Sequence, residues 1–187
     1  MYISKITISN FRNYRNFEME LKPFVTVIGE NNIGKSNLLD AISLVLSRDI
    51  SAYRRRVLDI SDFNFEALKE FKSKVISENW DDLSFPEVRV DLYFSELDTE
   101  QEAVLDSYWV DKNHSIARIS YLYAFKSSKK KEVIQQYQKI LEEKKKEKDI
   151  RSYIDLPIGW YEVSIIGGFE YHFVDTYDLA MLKMEYL

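Results

Sequence analysis

The chain has 187 residues, 45% hydrophobic and 14% aromatic, with a net charge of −5, no cysteine and two histidines. That is enough for one domain with a sizeable core, and too apolar for a disordered protein. Disulfides, thiolate zinc sites and cysteine nucleophiles are excluded, and His114 and His172 lie too far apart in sequence to point to a histidine metal site. No apolar run approaches the roughly 20 residues that span a bilayer, and the N-terminus alternates where a signal peptide would be continuously apolar. A cytoplasmic protein without membrane contact is expected.

Residues 2–9, YISKITIS, and 16–21, NFEMEL, alternate in polarity and predict two antiparallel strands joined through NFRNYR. After Pro23, FVTVI at 24–28 is a short continuous apolar run, the pattern of a strand buried on both faces of a sheet. KSNLLDAISLVLS then places Leu38, Leu39, Ile42, Val45 and Leu46 along one helical stripe. The stretch 48–65 reads as irregular, 65–76 as a helix, and 78–87 as a surface loop with a proline stop. VRVDLYFS at 88–95 and SIARISYLYAF at 115–125 read as strands, with a helix at 98–109 between them. Residues 129–149 keep Val133, Ile134, Tyr137, Ile140 and Leu141 on one face of a solvent-exposed helix. Its lysine triplets at 129–131 and 144–146 alternate with Glu142, Glu143 and Glu147 and read as a solvated surface. Gly167-Gly168 between alternating segments, with Phe169, Tyr171 and Phe173 on one face, predicts a β-hairpin over 161–178.

Chemistry concentrates at residues 29–36. GENNIGKS fits GxxxxGK[ST], the phosphate-binding loop, between an expected buried strand and an amphipathic helix. In that arrangement the backbone N–H groups of Gly29, Glu30, Asn31, Asn32, Ile33 and Gly34 surround a phosphate, and the helix start adds partial positive charge. Lys35 would bridge the β- and γ-phosphates of ATP, and Ser36 would place its hydroxyl on Mg²⁺. Both glycines serve unusual dihedrals and close approach of backbone to phosphate.

The residues around this loop carry a resemblance. ISKITISNFRNYRNFEMEL followed by VTVIGENNIGKSNLLDAI resembles the N-terminus of ABC-type ATPases of the SMC and RecF class. Within that class, RDISAYRRRVLDISDFNFE at 48–66 and EVRVDLYFSELDTEQEAVL at 87–105 look most like OLD-family ATP-dependent nucleases, including the Gabija-type anti-phage nucleases. The resemblance covers residues 1 to about 125. It implies an α/β fold: an ABC-type P-loop ATPase head lobe with an antiparallel β layer flanking the nucleotide, followed by a partly helical insert. The division expected is 1–127 for the N-terminal part of the ATPase domain and 128–187 for a helix-plus-hairpin insert, a candidate dimerisation region. By the same resemblance Arg12 and Asn13 approach the nucleotide, Asn37 completes the GKSN motif, and the partners are DNA, through the full-length protein, and either a second copy of the chain or a partner head domain. An arginine at a strand end beside a phosphate loop suits phosphate oxygens on physical grounds as well.

The rest of the family pattern is harder to find. FVDTYD at 173–178 mimics a Walker B strand ending in Asp175, and IIGGF at 165–169 mimics a signature glycine pair, but the alternation favours a hairpin for both. Asp62 falls roughly where the family places a second metal-proximal loop, without the glutamine that belongs there. Arg54, Arg55 and Arg56 either track a DNA backbone or pair with Asp59 and Asp62. No Toprim acidic cluster is present, so the chain reads as the N-terminal portion of a longer protein, inactive in hydrolysis and cleavage by itself. A RecF- or SMC-like repair ATPase, or a module that binds nucleotide without hydrolysing it, are the alternatives.

Overall fold

The computed structural model describes residues 1–30, 34–46, 57–144 and 149–182. β1 (Tyr2–Phe11) and β2 (Tyr14–Glu20) form a tight hairpin whose turn is only Arg12-Asn13, with Arg12 at φ 48°. β3 (Val88–Ser95), β4 (Ala117–Phe125), β5 (Tyr161–Gly167) and β6 (His172–Phe173) complete one six-stranded sheet in the order β2-β1-β3-β4-β5-β6, with every neighbour antiparallel. The long crossing is β1 to β3, which brings residues 2–9 against 89–95.

Register assigns the two sheet faces opposite characters. Ile6, Ile8, Val90, Leu92, Phe94, Ile119, Tyr121 and Tyr123 alternate along β1, β3 and β4 and are buried together in one core. The intervening positions form polar rows, of which Thr7, Asp91 and Ser120 are cross-strand neighbours. Asp91 is buried, and its carboxylate accepts from Thr7 Oγ1 at 2.7 Å, Ser120 Oγ at 2.5 Å and Arg89 Nε at 2.7 Å. A buried charge is tolerated only with such partners.

Helices supply the second layer. α1 (Lys35–Val45) packs on β3 and β4 through Leu38, Ala41, Leu44 and Val45, whereas Leu39 of the expected stripe faces out, because the buried side is rotated toward Ala41 and Leu44. α2 (Phe65–Ile76) starts as expected, with Asn64 as its N-cap accepting from Glu66 N and Ala67 N. Phe71 of α2 meets Phe85 at 5.4 Å and Tyr137 of α4 (Lys130–Lys144) at 6.0 Å between ring centroids. α3 (Thr99–Leu105) opens with an Asp98/Gln101 capping box and continues as a 3₁₀ turn to Tyr108. In the 3₁₀ turn just before α4, Lys129 pairs with Glu132 at 2.9 Å and lies over Trp160.

Two expectations are corrected. Residues 24–28 form no strand, and Phe24 and Ile28 are 86% and 88% exposed. A strand buried on both faces needs pairing neighbours, and the described strands are all antiparallel and paired with one another. β5 pairs with β4 along its whole length, from Phe125↔Tyr161 to Ile119↔Gly167. The last hairpin is real but turns over four residues, 168–171, and β6 gives way to α5 (Thr176–Met181), with Asp175 as its N-cap accepting from Tyr177 N at 2.7 Å. Among the described residues no helix is long and apolar enough to cross a membrane.

The tyrosines make the fold sensitive to alkali. Burial, and then its hydrogen bond to Asp178, push the Tyr108 phenol from its usual 10 up to about 12. Burial likewise raises Tyr137, which donates to Asp155 O at 2.7 Å, and Tyr161, which donates to Pro86 O at 2.9 Å. Because the unfolded chain loses these protons first, stability is full below pH 10 and falls as pH rises through about 12. Urea unfolding across that range is expected to show the decline, and Tyr137→Phe should flatten it; an unchanged slope would remove Tyr137 from the effect.

Candidate nucleotide-binding site

The start of α1 is held by the β1–β2 turn. Gly34, the N-cap of α1, has φ 104° and ψ 10°, a left-handed conformation that an L side chain rarely adopts. A Cβ there would also stand 2.4 Å from Asn13 Nδ2. The Gly34 carbonyl accepts from Leu38 N, the first helical bond, and from Tyr14 Oη, both at 3.1 Å. Asn37 Nδ2 donates to Asn13 Oδ1 at 2.7 Å. Asn13 and Tyr14 thus close over the glycine on which the loop turns into the helix.

Arg12 fixes the same junction from the other side. Its Nε donates to Asp62 Oδ1 at 3.0 Å, and Nη1 donates to Asn37 Oδ1 at 2.7 Å and to Asp40 Oδ2. Burial works to lower this guanidinium's pKa, but the hydrogen bonds to Asp40 and Asp62 prevail and raise it. Asp62 is 5% exposed and is bound further by Asp59 N, within an Asp59/Asp62 capping box. The backbone joins in, with Arg12 N donating to Asp62 O and Asn64 N to Asn10 O, both at 2.8 Å, and a β-bridge between Phe11 and Phe63. Asp62 therefore anchors Arg12, and its carboxylate is committed to the fold rather than to a metal-proximal loop.

On the loop itself, Lys35 Nζ donates to the carbonyls of Gly29 and, at 2.5 Å, Glu30, curling the chain back over the helix start. Ser36 is exposed. Asn31, Asn32, Ile33 and the Arg54–Arg56 triplet lie outside the described residues. The arrangement offers one ammonium, one free-standing hydroxyl and a helix N-terminus within a single turn of chain, the elements a phosphate chain and its cation require. Among the described residues no group of three or more Asp, Glu or His side chains forms a metal cage.

The profile of the AAA ATPase domain family matches residues 1–162. The chain belongs to that family. This AAA ATPase domain is 48% identical over 46 residues to the DNA replication and repair protein RecF of Listeria welshimeri, a stretch that is 24% of the chain and 12% of the RecF protein. RecF of Mesorhizobium japonicum is 51% identical over 45 residues, again 24% of the chain and 12% of the relative. The matched stretch thus spans only about an eighth of these relatives' length. A solved chain from work on ATP-driven dimerization and DNA-stimulated activation of SMC ATPases superposes with a TM-score of 0.45 at 18% identity, over 97% of this chain and 77% of that one.

Three participants escape a sequence reading: Tyr14, Asp40 and Asn64. Asn64 is a legible N-cap, and Asn37 and Asp40, three apart, share one helix face. Nothing local names Arg12 as their common partner. Because it removes a charge-assisted bond to the buried Asp62 carboxylate together with the contacts to Asn37 and Asp40, Arg12→Ala is expected to cost about 2–3 kcal/mol of stability, with Arg12→Lys recovering part of it. Urea denaturation measures this; a loss below about 0.5 kcal/mol would reduce the network to an ordinary surface pair.

Proposed function

We propose that the chain is the nucleotide-binding part of an ATPase head of the SMC and RecF type, which binds ATP with Mg²⁺ and serves DNA repair or maintenance within a longer protein. The observation that carries this reading is GENNIGKS leading into α1 across a left-handed glycine, in a chain of the AAA ATPase domain family. Residues Gly29 to Asn37 form the cradle, with Arg12 and Asn13 beside it. The residues fit the group: the two described hydrogen bonds of Lys35 go to backbone carbonyls that a phosphate can replace, and Ser36 is an exposed hydroxyl in the first turn of the helix. Mg²⁺ would supply charge neutralisation between the phosphates, with Ser36 its protein ligand.

DNA and a second head are the partners this reading carries. The exposure of Phe24, Val27 and Ile28 supports its place within a longer protein, since an apolar run of this kind is buried by strands paired beside it. The resemblance at 48–66 and 87–105 favours a finer version, an OLD-like endonuclease in anti-phage defence whose nucleotide state governs cleavage by a Toprim domain.

Titration of a fluorescent ATP analogue with Mg²⁺ tests the reading. The chain should bind it, and Lys35→Ala should weaken binding by roughly 10- to 150-fold, the worth of a charge-assisted hydrogen bond. No binding by the unaltered chain, or equal binding by both, overturns the assignment.

Arg12 has two partners of unequal accessibility, with the Asp40 side chain 40% exposed and that of Asp62 7% exposed. In this reading the guanidinium keeps Asp62 and exchanges Asp40 for a phosphate oxygen. Asp40→Asn is then expected to tighten ATP binding while leaving the fold intact, whereas unchanged affinity would confine Arg12 to holding α1 in place.

A further inference from the structure

The polar face of the sheet holds one cation that the fold leaves short of a partner. Arg118, on β4, is 9% exposed, and its Nε is buried without a hydrogen-bond acceptor. Its Nη2 donates to Gly168 O, in the turn between β5 and β6, and among the described residues no carboxylate is ion-paired with it. A buried guanidinium with an idle donor and no counter-charge is costly, and such a group calls for an anion.

A second guanidinium reaches the same place from the other end of the face. Arg89 of β3 stands across from Leu122 and Arg118 across from Tyr93, with the Asp91–Ser120 pair between them. The two meet at Tyr171, whose ring centroid lies 4.4 Å from the guanidinium carbon of Arg118 and 4.8 Å from that of Arg89. A hydrogen bond from Arg89, and then the charges of Arg89 and Arg118, hold the Tyr171 phenol below its usual 10. Negative charge at the phenol oxygen is therefore favoured by both. Arg89 is already matched by Asp91 at 2.7 Å, and Asp91 also accepts from Thr7 and Ser120. The charge left over is that of Arg118.

We propose that Arg118 and Arg89 form a binding site for a single tetrahedral oxyanion such as free phosphate, which takes the position of the Tyr171 hydroxyl while the ring turns aside. Guanidiniums are the side chains best suited to oxyanions. Donors arriving from two strands suit a tetrahedral anion, with oxygens in several directions, better than a planar carboxylate. Tyr171 can give way: it is 46% exposed, and the described interactions of its side chain are those with the two guanidiniums. Charge sets the size of the ligand. Lys5, which shares this face across from Tyr93, is matched by Glu18 at 2.6 Å, and Glu20 stands beside it. A nucleic-acid backbone is held by several unmatched cations in a row, and one such cation fits one small anion.

The inference does not rest on nucleotide binding, and its test uses the whole chain carrying Lys35→Ala, which weakens the phosphate loop. Calorimetric titration with inorganic phosphate at constant ionic strength should give a Kd on the order of 0.1–5 mM. Arg118→Gln should weaken it at least about 10-fold, and acetate should bind more weakly than phosphate. Tyr171→Phe, at an exposed position, removes the competing hydroxyl and should tighten binding. A second readout needs no change at Arg118, should its loss perturb the fold. The Tyr171 ionisation, taken as the 295 nm absorbance of the chain less that of Tyr171→Phe, should move up toward pH 10 on adding phosphate, because the anion takes the guanidiniums from the phenol. No phosphate binding up to about 50 mM, binding indifferent to Arg118→Gln in a folded chain, acetate binding as tightly, or an ionisation that phosphate does not move overturns the proposal. Arg118-dependent capture of a short oligonucleotide without binding of free phosphate overturns it as well.

Discussion

Arg12 is the pin on which the placement of the start of α1 depends. Its planar fork of donors reaches three acceptors on two elements at once: Asp62 in the segment before α2, and Asn37 and Asp40 on the first turns of α1. A buried carboxylate such as Asp62 cannot be left unpaired. The guanidinium is therefore drawn inward, and α1 is drawn with it. Asn13 and Tyr14, the next two residues, then fall on Gly34. One hairpin turn thus sets where the loop ends and where the helix dipole points.

The sheet behind this junction keeps two kinds of interaction apart. Its apolar face, from Ile6 and Ile8 across to Tyr123, takes the helices and supplies the hydrophobic part of stability. Its other face is a polar lattice in which Asp91 collects Thr7, Ser120 and Arg89. Such a lattice is directional, so it penalises any slip in register that would bring the polar rows onto the helices. Tyr108, Tyr137 and Tyr161 mark places where the apolar layer still carries hydroxyls, each given an acceptor by a nearby carbonyl or carboxylate.

Exposed apolar groups gather at two places, and they differ in kind. Residues 24–28 lead directly into the phosphate loop and lack strand geometry. At the β6–α5 end the apolar groups sit on formed elements held by Tyr171, Arg118 and Asp178. The first is backbone in need of pairing partners; the second stands on elements already formed.

Much of this was legible in the chain itself. The helix at 65–76, the strand at 88–95, the hairpin at the N-terminus and the left-handed Gly34 before Lys35 all follow from periodicity, caps and turn residues, which act over a few positions. Those signals are local because a helix or strand face repeats along the chain and a cap sits next to what it caps. The same signals misled at 24–28, where an apolar run states that burial is wanted and not that a partner is at hand. They were silent on the continuity of β4 into β5 across 127/128, and on the choice of Asp62, Asn37 and Asp40 as partners of Arg12. Those partners lie 25 to 50 residues away in sequence, and a single long-range hydrogen bond leaves no periodic trace. The amino-acid sequence determined which segments could turn, coil or extend and where the GxxxxGK[ST] motif stands; tertiary contact alone decided what holds the start of α1 beside it, because only folding brings an arginine to carboxylates it never neighbours along the chain.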